Sequence, residues 1–238
     1  MNLFFSQIIE GDLAVLEAEE SAHLIQVLRR KPGDPIRLTD GRGTWYEGVL
    51  ESAGKKNALV RITSQEHLAS RRPYRVHLAV APPKNMERFE WFLEKATEIG
   101  VDRITPLWCQ RSERRTLRAD RLEKILLSSM KQSAQCFLPR LDPAIGFRDF
   151  IAALGNGGES RFIGYLEEAT ASPHLFSAYE KGKDALVLIG PEGDFSPEEV
   201  ALCKSAGFQL MSLGPNRLRT ETAAVCAVQI IAVRNEAG

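Results

Sequence analysis

The chain has 238 residues, 44% hydrophobic and 26% charged, a composition that excludes a disordered, collagenous or disulfide-stapled protein. That length buries either one large core or a short domain fused to a medium one. Basic and acidic residues number 31 each, yet residues 71–148 hold 16 basic against 9 acidic, while 1–70 hold 8 and 10 and 149–238 hold 7 and 12. A basic middle third keeps a phosphate-bearing partner open in a neutral chain.

Cys109, Cys136, Cys203 and Cys226 stand far apart without a C-x-x-C pair, and no H-x-x-x-H occurs. No metal site is therefore expected, and the thiols read as reduced. The start Met1-Asn2-Leu3-Phe4-Phe5 lacks a basic n-region, and no run of about eighteen apolar residues occurs. A cytoplasmic location without membrane contact is the expectation.

In chain order, Glu19 to Arg30 predicts one helix, with Leu24, Val27 and Leu28 on a single face and Pro32-Gly33 ending it. From Ile36 to Thr63, strand-length apolar runs alternate with the turn chemistry of Asp40-Gly41-Arg42-Gly43 and Gly54-Lys55-Lys56-Asn57. That spacing predicts a small antiparallel barrel. The composition changes at Ser70-Arg71-Arg72-Pro73 and a buried strand, Val76 to Ala81, follows, so a first domain over 1–70 and a second over 73–238 are expected.

The second domain opens with an amphipathic helix capped by Asn85, with Met86, Phe89, Phe92, Leu93, Ala96 and Ile99 on its apolar face and Gly100 at its end. A strand over 104–108 is followed by helices over about 119–136 and 147–154 and a strand over 161–166. Then come a strand over 185–189, a helix over 197–206, a strand over 208–213 and a last helix over 221–234. Strands separated by helices imply an α/β domain with a mainly parallel sheet, whose ligands bind outside the C-terminal strand ends.

Two loops in that position carry unusual chemistry. Ile189-Gly190-Pro191-Glu192-Gly193-Asp194-Phe195 joins a buried strand to a helix announced by Ser196, Pro197 and Glu199. Gly214 to Ala223 packs Arg217, Arg219, Glu221, Thr220 and Thr222 ahead of a helix apolar on nearly every side. Either loop alone reads as a capped turn, but two on neighbouring strand ends point to a ligand site. Three other cofactor signatures are absent: no G-x-G-x-x-G after a strand, no G-x-x-x-x-G-K-[ST] and no G-x-S-x-G occurs. Finally, Arg111-Ser112-Glu113-Arg114-Arg115-Thr116-Leu117-Arg118 lies in the basic third and is a candidate phosphate contact.

At these loops the chain resembles the RsmE-type family of small-subunit ribosomal RNA uridine-N3 methyltransferases, of the SPOUT superfamily, over nearly its whole length. Phe4-Phe5, His23, Val27-Leu28-Arg29, Pro32-Gly33-Asp34 and Asp40-Gly41 resemble that family's PUA-like barrel. Lys84, Arg88, Glu94 to Val101, Arg111-Ser112, Ile189 to Gly193 and the Leu213-Gly214 to Glu221-Thr222-Ala223 block resemble its catalytic domain. In two places the chain departs from the pattern. Asp194 stands where the family commonly has glycine, and Lys131-Gln132-Ser133-Ala134-Gln135 stands where it commonly has E-Q-x-x-R.

The resemblance implies a trefoil knot, against the general rule, a homodimer, and S-adenosylmethionine as cofactor. It implies cofactor contacts from the loop after Leu166, from Ile189, Gly190, Pro191, Glu192 and Gly193, and from Leu213, Gly214, Leu218, Arg219, Thr220, Thr222 and Ala223. The implied partner is 16S ribosomal RNA or the small ribosomal subunit, met by Arg29, Arg30, Lys84, Arg88, Arg111, Arg114, Arg115 and Arg118. Uridine N3 becomes nucleophilic once its proton leaves, so a cation beside the ring carbonyls favours the anion. Arg219 is the expected cation, and Glu221 either a base or an orienting group at the helix start. A knotted methyltransferase with another RNA target, or a non-enzymatic ribosome-assembly protein of the same fold, are the alternatives.

Overall fold

The computed structural model describes residues 2–54, 56–155, 157–167 and 171–236. It comprises two compact units, residues 1–71 with 127–138 and residues 72–126 with 139–238. A division at 70–73 therefore misses one excursion, because residues 127–138 belong to the first unit.

The first unit contains β1 (Leu3–Phe5), β2 (Ile8–Glu10), β3 (Leu13–Leu16), a short helix α1 (Ala18–Ala22), β4 (Pro35–Thr39), β5 (Thr44–Ala53) and β6 (Ala58–His67). The sheet order is β1-β4-β5-β6-β3-β2. All pairings are antiparallel except β1 with β4. The small antiparallel barrel expected here takes the form of an open half-barrel with one parallel pair. Phe4, Leu16, Leu24, Ile36, Leu38, Leu50 and Val60 fill its core.

The single helix expected over 19–30 is instead α1 followed by a wider helical turn at His23–Val27. It stops at Arg29, whose φ is 54°. A left-handed residue cannot continue a right-handed helix, so the chain turns there, ahead of the Pro32-Gly33 pair.

Residues 127–138 are fastened to the β4–β5 turn. Gly43 donates to the Cys136 carbonyl and Leu138 donates to the Gly41 carbonyl, both at 2.8 Å. Gly43 has φ 101°, and a Cβ there would lie 2.6 Å from the Phe137 ring and from the Leu68 carbonyl, so only glycine fits. Lys131 is paired with Glu20, whose other carboxylate oxygen accepts from the Phe5 amide. The Lys131 to Gln135 stretch that departs from the family pattern is therefore spent on holding its own unit together.

The second unit contains β7 (Val76–Val80), α2 (Met86–Ile99), β8 (Arg103–Trp108), α3 (Ala119–Gln132, its second half in the first unit), β9 (Arg140–Leu141), β10 (Ile145–Gly146) and α4 (Phe147–Ala152). It continues with β11 (Ser160–Gly164), α5 (Leu175–Ala178), β12 (Ala185–Ile189), α6 (Pro197–Ser205), β13 (Gln209–Met211) and α7 (Thr220–Glu236). The sheet order is β10-β8-β7-β12-β11-β13, with β9 beside β8, and every pairing is parallel. All five residues of β12 are buried, the continuous apolar run of a strand covered on both faces. The chain places β11 between β12 and β13, and α7 returns to pack on α2, β7 and β12. β9, β10 and α5, of two to four residues, were too short to carry a periodicity.

Near the starts of these strands His77 is largely buried, its Nε2 2.7 Å from the Thr105 hydroxyl. Thr105 donates that hydroxyl to Asp142, so it accepts from the imidazole, which is neutral with its proton on Nε2. Burial first, and the nearby Arg103 second, lower the His77 pKa to about 4 from an ordinary 6.5. The unfolded chain therefore binds a proton that the folded one refuses, and stability falls as pH drops from 6.5 toward 4. Urea unfolding at pH 7.5 and pH 5 should show a loss of about 2 kcal/mol from this group. His77→Gln, which can still donate to Thr105, should flatten that loss.

Candidate active site

β12, β11 and β13 are neighbours, so their C-terminal ends lie side by side. The loops leaving them, with the start of α7, surround a cavity of about 230 Å³. Its lining comes from Gly164, Tyr165 and Leu166 after β11, from Ile189, Gly190, Pro191 and Asp194 after β12, and from Met211 to Leu218 with Thr220 and Ala223 after β13.

The loop after β12 is held from several sides. The buried Thr220 hydroxyl donates to the Gly190 carbonyl at 2.9 Å, tying the start of α7 to that turn. Glu192 accepts from the Lys84 amide at 3.0 Å through its side chain and from Arg217 at 3.3 Å through its carbonyl. Arg111 donates to the carbonyls of Gly193 at 2.8 Å and Phe195 at 3.3 Å. The Arg111 stem lies against Gly193, where even an added Cβ would meet it only at van der Waals distance. Beyond the loop, Ser196 and Glu199 cap α6 reciprocally, and Glu199 also accepts from the Gln110 amide at 2.8 Å.

Asp194 has φ 63°, a left-handed conformation natural to glycine and tolerated by aspartate. Its carboxylate stabilises the turn by accepting from its neighbour Phe195 N–H and from Leu166 N–H across the cavity, each at 2.9 Å. The Asp194 departure thus exchanges backbone freedom for a cross-loop hydrogen bond. On the same wall the Tyr165 phenol donates to Glu167 at 2.6 Å. That bond first, then burial and the Glu167 charge, with a smaller part from Asp194, push the phenol up to about 12.

Of the residues expected to hold a cofactor, Leu166, Ile189, Gly190, Pro191, Leu213, Gly214, Leu218, Thr220 and Ala223 line the cavity. Glu192, Gly193, Arg219 and Thr222 lie beside it without lining it. The loop after Leu166 continues into 168–170, outside the described residues. Tyr165, Asp194 and Ser212 line the cavity but were missed as contacts. Strand ends carry no motif, and only the departure at Asp194 was a signal.

Arg219 is exposed and sits between two lining residues, and among the described residues its side chain has no hydrogen-bond or ionic partner. Glu221 is 7% exposed and does not line the cavity, its Oε1 3.7 Å from Nε of Arg88. Arg88 therefore meets a buried carboxylate, and Arg111 is engaged by the 190–195 loop. Arg115 donates to the Cys109 carbonyl at 3.3 Å, and Arg114 to the carbonyls of Thr116 and Lys84 at 3.2 and 3.3 Å. Lys84 and Arg118 make exposed ion pairs with Glu113 and Asp120, both at 2.9 Å. Such pairs are weak enough to yield to a phosphate. In the first unit Arg30 lies 4.0 Å from Asp34, and Arg29 is the left-handed residue closing the helical turn.

A parallel sheet with a loop-lined cavity at its C-terminal edge and basic residues nearby defines a ligand-binding α/β protein with a cationic surface, and comparison with known proteins gives its class. Residues 70–232 match the family model of the RNA methyltransferase domain, and residues 16–63 match that of the RNA methyltransferase PUA domain. A relative from Mycobacterium bovis, ribosomal RNA small subunit methyltransferase E, is 32% identical, with 94% of this chain and 87% of the relative covered. Among solved structures, the probable rRNA-methyltransferase of Porphyromonas gingivalis superposes with a TM-score of 0.92 at 40% identity, covering 100% of this chain and 99% of that one. The ribosomal RNA small subunit methyltransferase E of Neisseria gonorrhoeae, solved with bound S-adenosyl methionine, gives 0.83 at 26% identity, covering 96% and 95%. The chain belongs to the family of RNA methyltransferases that includes ribosomal RNA small subunit methyltransferase E.

Thr220→Val keeps the side-chain volume but leaves the Gly190 carbonyl without its buried donor. Stability should fall by about 1–2 kcal/mol in urea unfolding, the cost of one orphaned buried acceptor.

Proposed function

We propose that this RNA methyltransferase transfers a methyl group from S-adenosylmethionine to N3 of a uridine in 16S ribosomal RNA, in the cytoplasm and as a homodimer. The observation that carries the reading is the cavity at the ends of β11, β12 and β13, with an arginine at its edge whose side chain has no partner among the described residues. The donor set suits a sulfonium nucleoside. Ile189, Leu213 and Leu218 offer an apolar shelf, the first turn of α7 has amides free of helical partners, and Asp194 supplies negative charge.

When bound, the cofactor supplies a methyl on a cationic sulfur, so protein groups have little covalent work and positioning dominates. The loops after β11, β12 and β13 hold the donor, and Arg219 stabilises the charge spread over the uracil carbonyls once N3 loses its proton. The pairing of Glu221 with Arg88, outside the cavity lining, favours the orienting role over that of base. Arg114, Arg115, Arg118 and Lys84, all on the C-terminal loop side, are the phosphate contacts proposed in the second unit. Arg29 and Arg30 are those in the first. Arg88 and Arg111 support the site from within.

The placement of β11 between β12 and β13, followed by the return of α7 to β7, supports a knotted threading. The homodimer is supported by α7 and α5, where Phe176 and Val233 are exposed at 38% and 40% and form an apolar groove with Ile230. A second copy of the same face is the self-complementary occupant that two-fold assembly provides. A binding protein without catalysis has no reason to hold a sulfonium nucleoside, so titration with S-adenosylmethionine separates that reading.

Arg219→Ala should lose methylation by at least about a hundredfold, the scale of one removed charge-stabilising donor, while calorimetry finds cofactor affinity little changed. Full activity, or methyl found on another atom by mass mapping of the RNA product, would overturn the assignment. Val233→Glu should convert the dimer to monomer in sedimentation velocity, and an unaltered dimer would move the interface elsewhere.

A further inference from the structure

We infer that Asp194 biases the cofactor site toward the sulfonium donor and against the demethylated thioether, S-adenosylhomocysteine, that methyl transfer leaves behind. The inference rests on the reading of the cavity as an S-adenosylmethionine site. Among the described residues lining the cavity, Asp194 is the sole carboxylate. It cannot swing out, because its two oxygens are held by the amides of Leu166 and Phe195 at 2.9 Å each, and its backbone is fixed at φ 63°. Among the described residues no ion pair neutralises it, and Arg111, which binds the carbonyls of Gly193 and Phe195 on either side of it, stands outside the cavity lining. The one guanidinium in the lining, Arg217, is exposed, and it is bound to the Glu192 carbonyl. Its charge is therefore screened by water, while that of Asp194 is half-buried. Its charge is felt at the neighbouring Tyr165 phenol, where it adds a minor part to a rise that the Glu167 hydrogen bond dominates.

Donor and product differ by a methyl and by one positive charge on sulfur. A fixed anion in a partly desolvated cavity attracts the cation and is indifferent to the neutral thioether. The consequence is selective release of product, achieved by charge and without movement of the loops.

The test is calorimetric titration of the full-length protein with S-adenosylmethionine and with S-adenosylhomocysteine, for the unaltered chain, Asp194→Asn and Asp194→Gly. Asparagine tolerates the left-handed conformation and glycine adopts it freely, so both variants fold. Loss of the cross-loop hydrogen bonds weakens both nucleosides alike, whereas loss of charge weakens only the donor. The ratio of the two Kd values should therefore shift by about tenfold against the donor in both variants, the scale of one partly screened charge pair. An unshifted ratio in both would overturn the inference while leaving the cofactor reading intact. Failure of the unaltered chain to bind either nucleoside would overturn both.

Discussion

The site depends on one constraint: the turn from Gly190 to Phe195 carries carbonyls that secondary structure does not satisfy, and side chains from elsewhere in the unit bind them. Thr220 reaches it from the start of α7, Arg111 from beyond β8, and Arg217 from the loop after β13. Each bond fixes a carbonyl and draws one more segment toward the cavity. The loops after β8, β12 and β13 therefore form a single fastened structure, and the buried Gly190 carbonyl is the one that requires its partner. The parallel sheet brings them near, and the hydrogen bonds decide their shape.

That arrangement divides the basic run into two jobs. Arg111 faces inward and makes hydrogen bonds to backbone, while Arg118 is paired only with an exposed aspartate. Nothing in the residue types separates them. The division follows from position, since Arg111 lies where the carbonyls of Gly193 and Phe195 are within reach. The basic third of the chain is thus partly a binding surface and partly scaffolding for the neighbouring cavity.

Much of the second unit was legible because its signals are local. Asn85 accepts from the Glu87 amide at 2.9 Å and Ser196 forms its reciprocal cap with Glu199, as their spacings suggest. The all-buried β12 follows from an unbroken apolar run. The first unit was less legible, since β1, β2 and β3 have three or four residues each and β1 pairs in parallel across the chain. The two glycine-bearing loops pointed to the cavity, but the direction of Glu221 and the inward role of Arg111 did not appear. Those depend on which partner a long side chain finds in three dimensions, and no spacing rule encodes it.

The fastening of residues 127–138 to the β4–β5 turn makes the first unit discontinuous along the chain. During synthesis, the slot beside Gly43 stays unfilled until Phe137 has left the ribosome, about seventy residues after the last long strand of that unit. By then β7, α2 and β8 of the second unit have already emerged. The order of translation therefore obliges the amino-terminal module to wait, half-assembled, for a piece of chain that arrives with its neighbour.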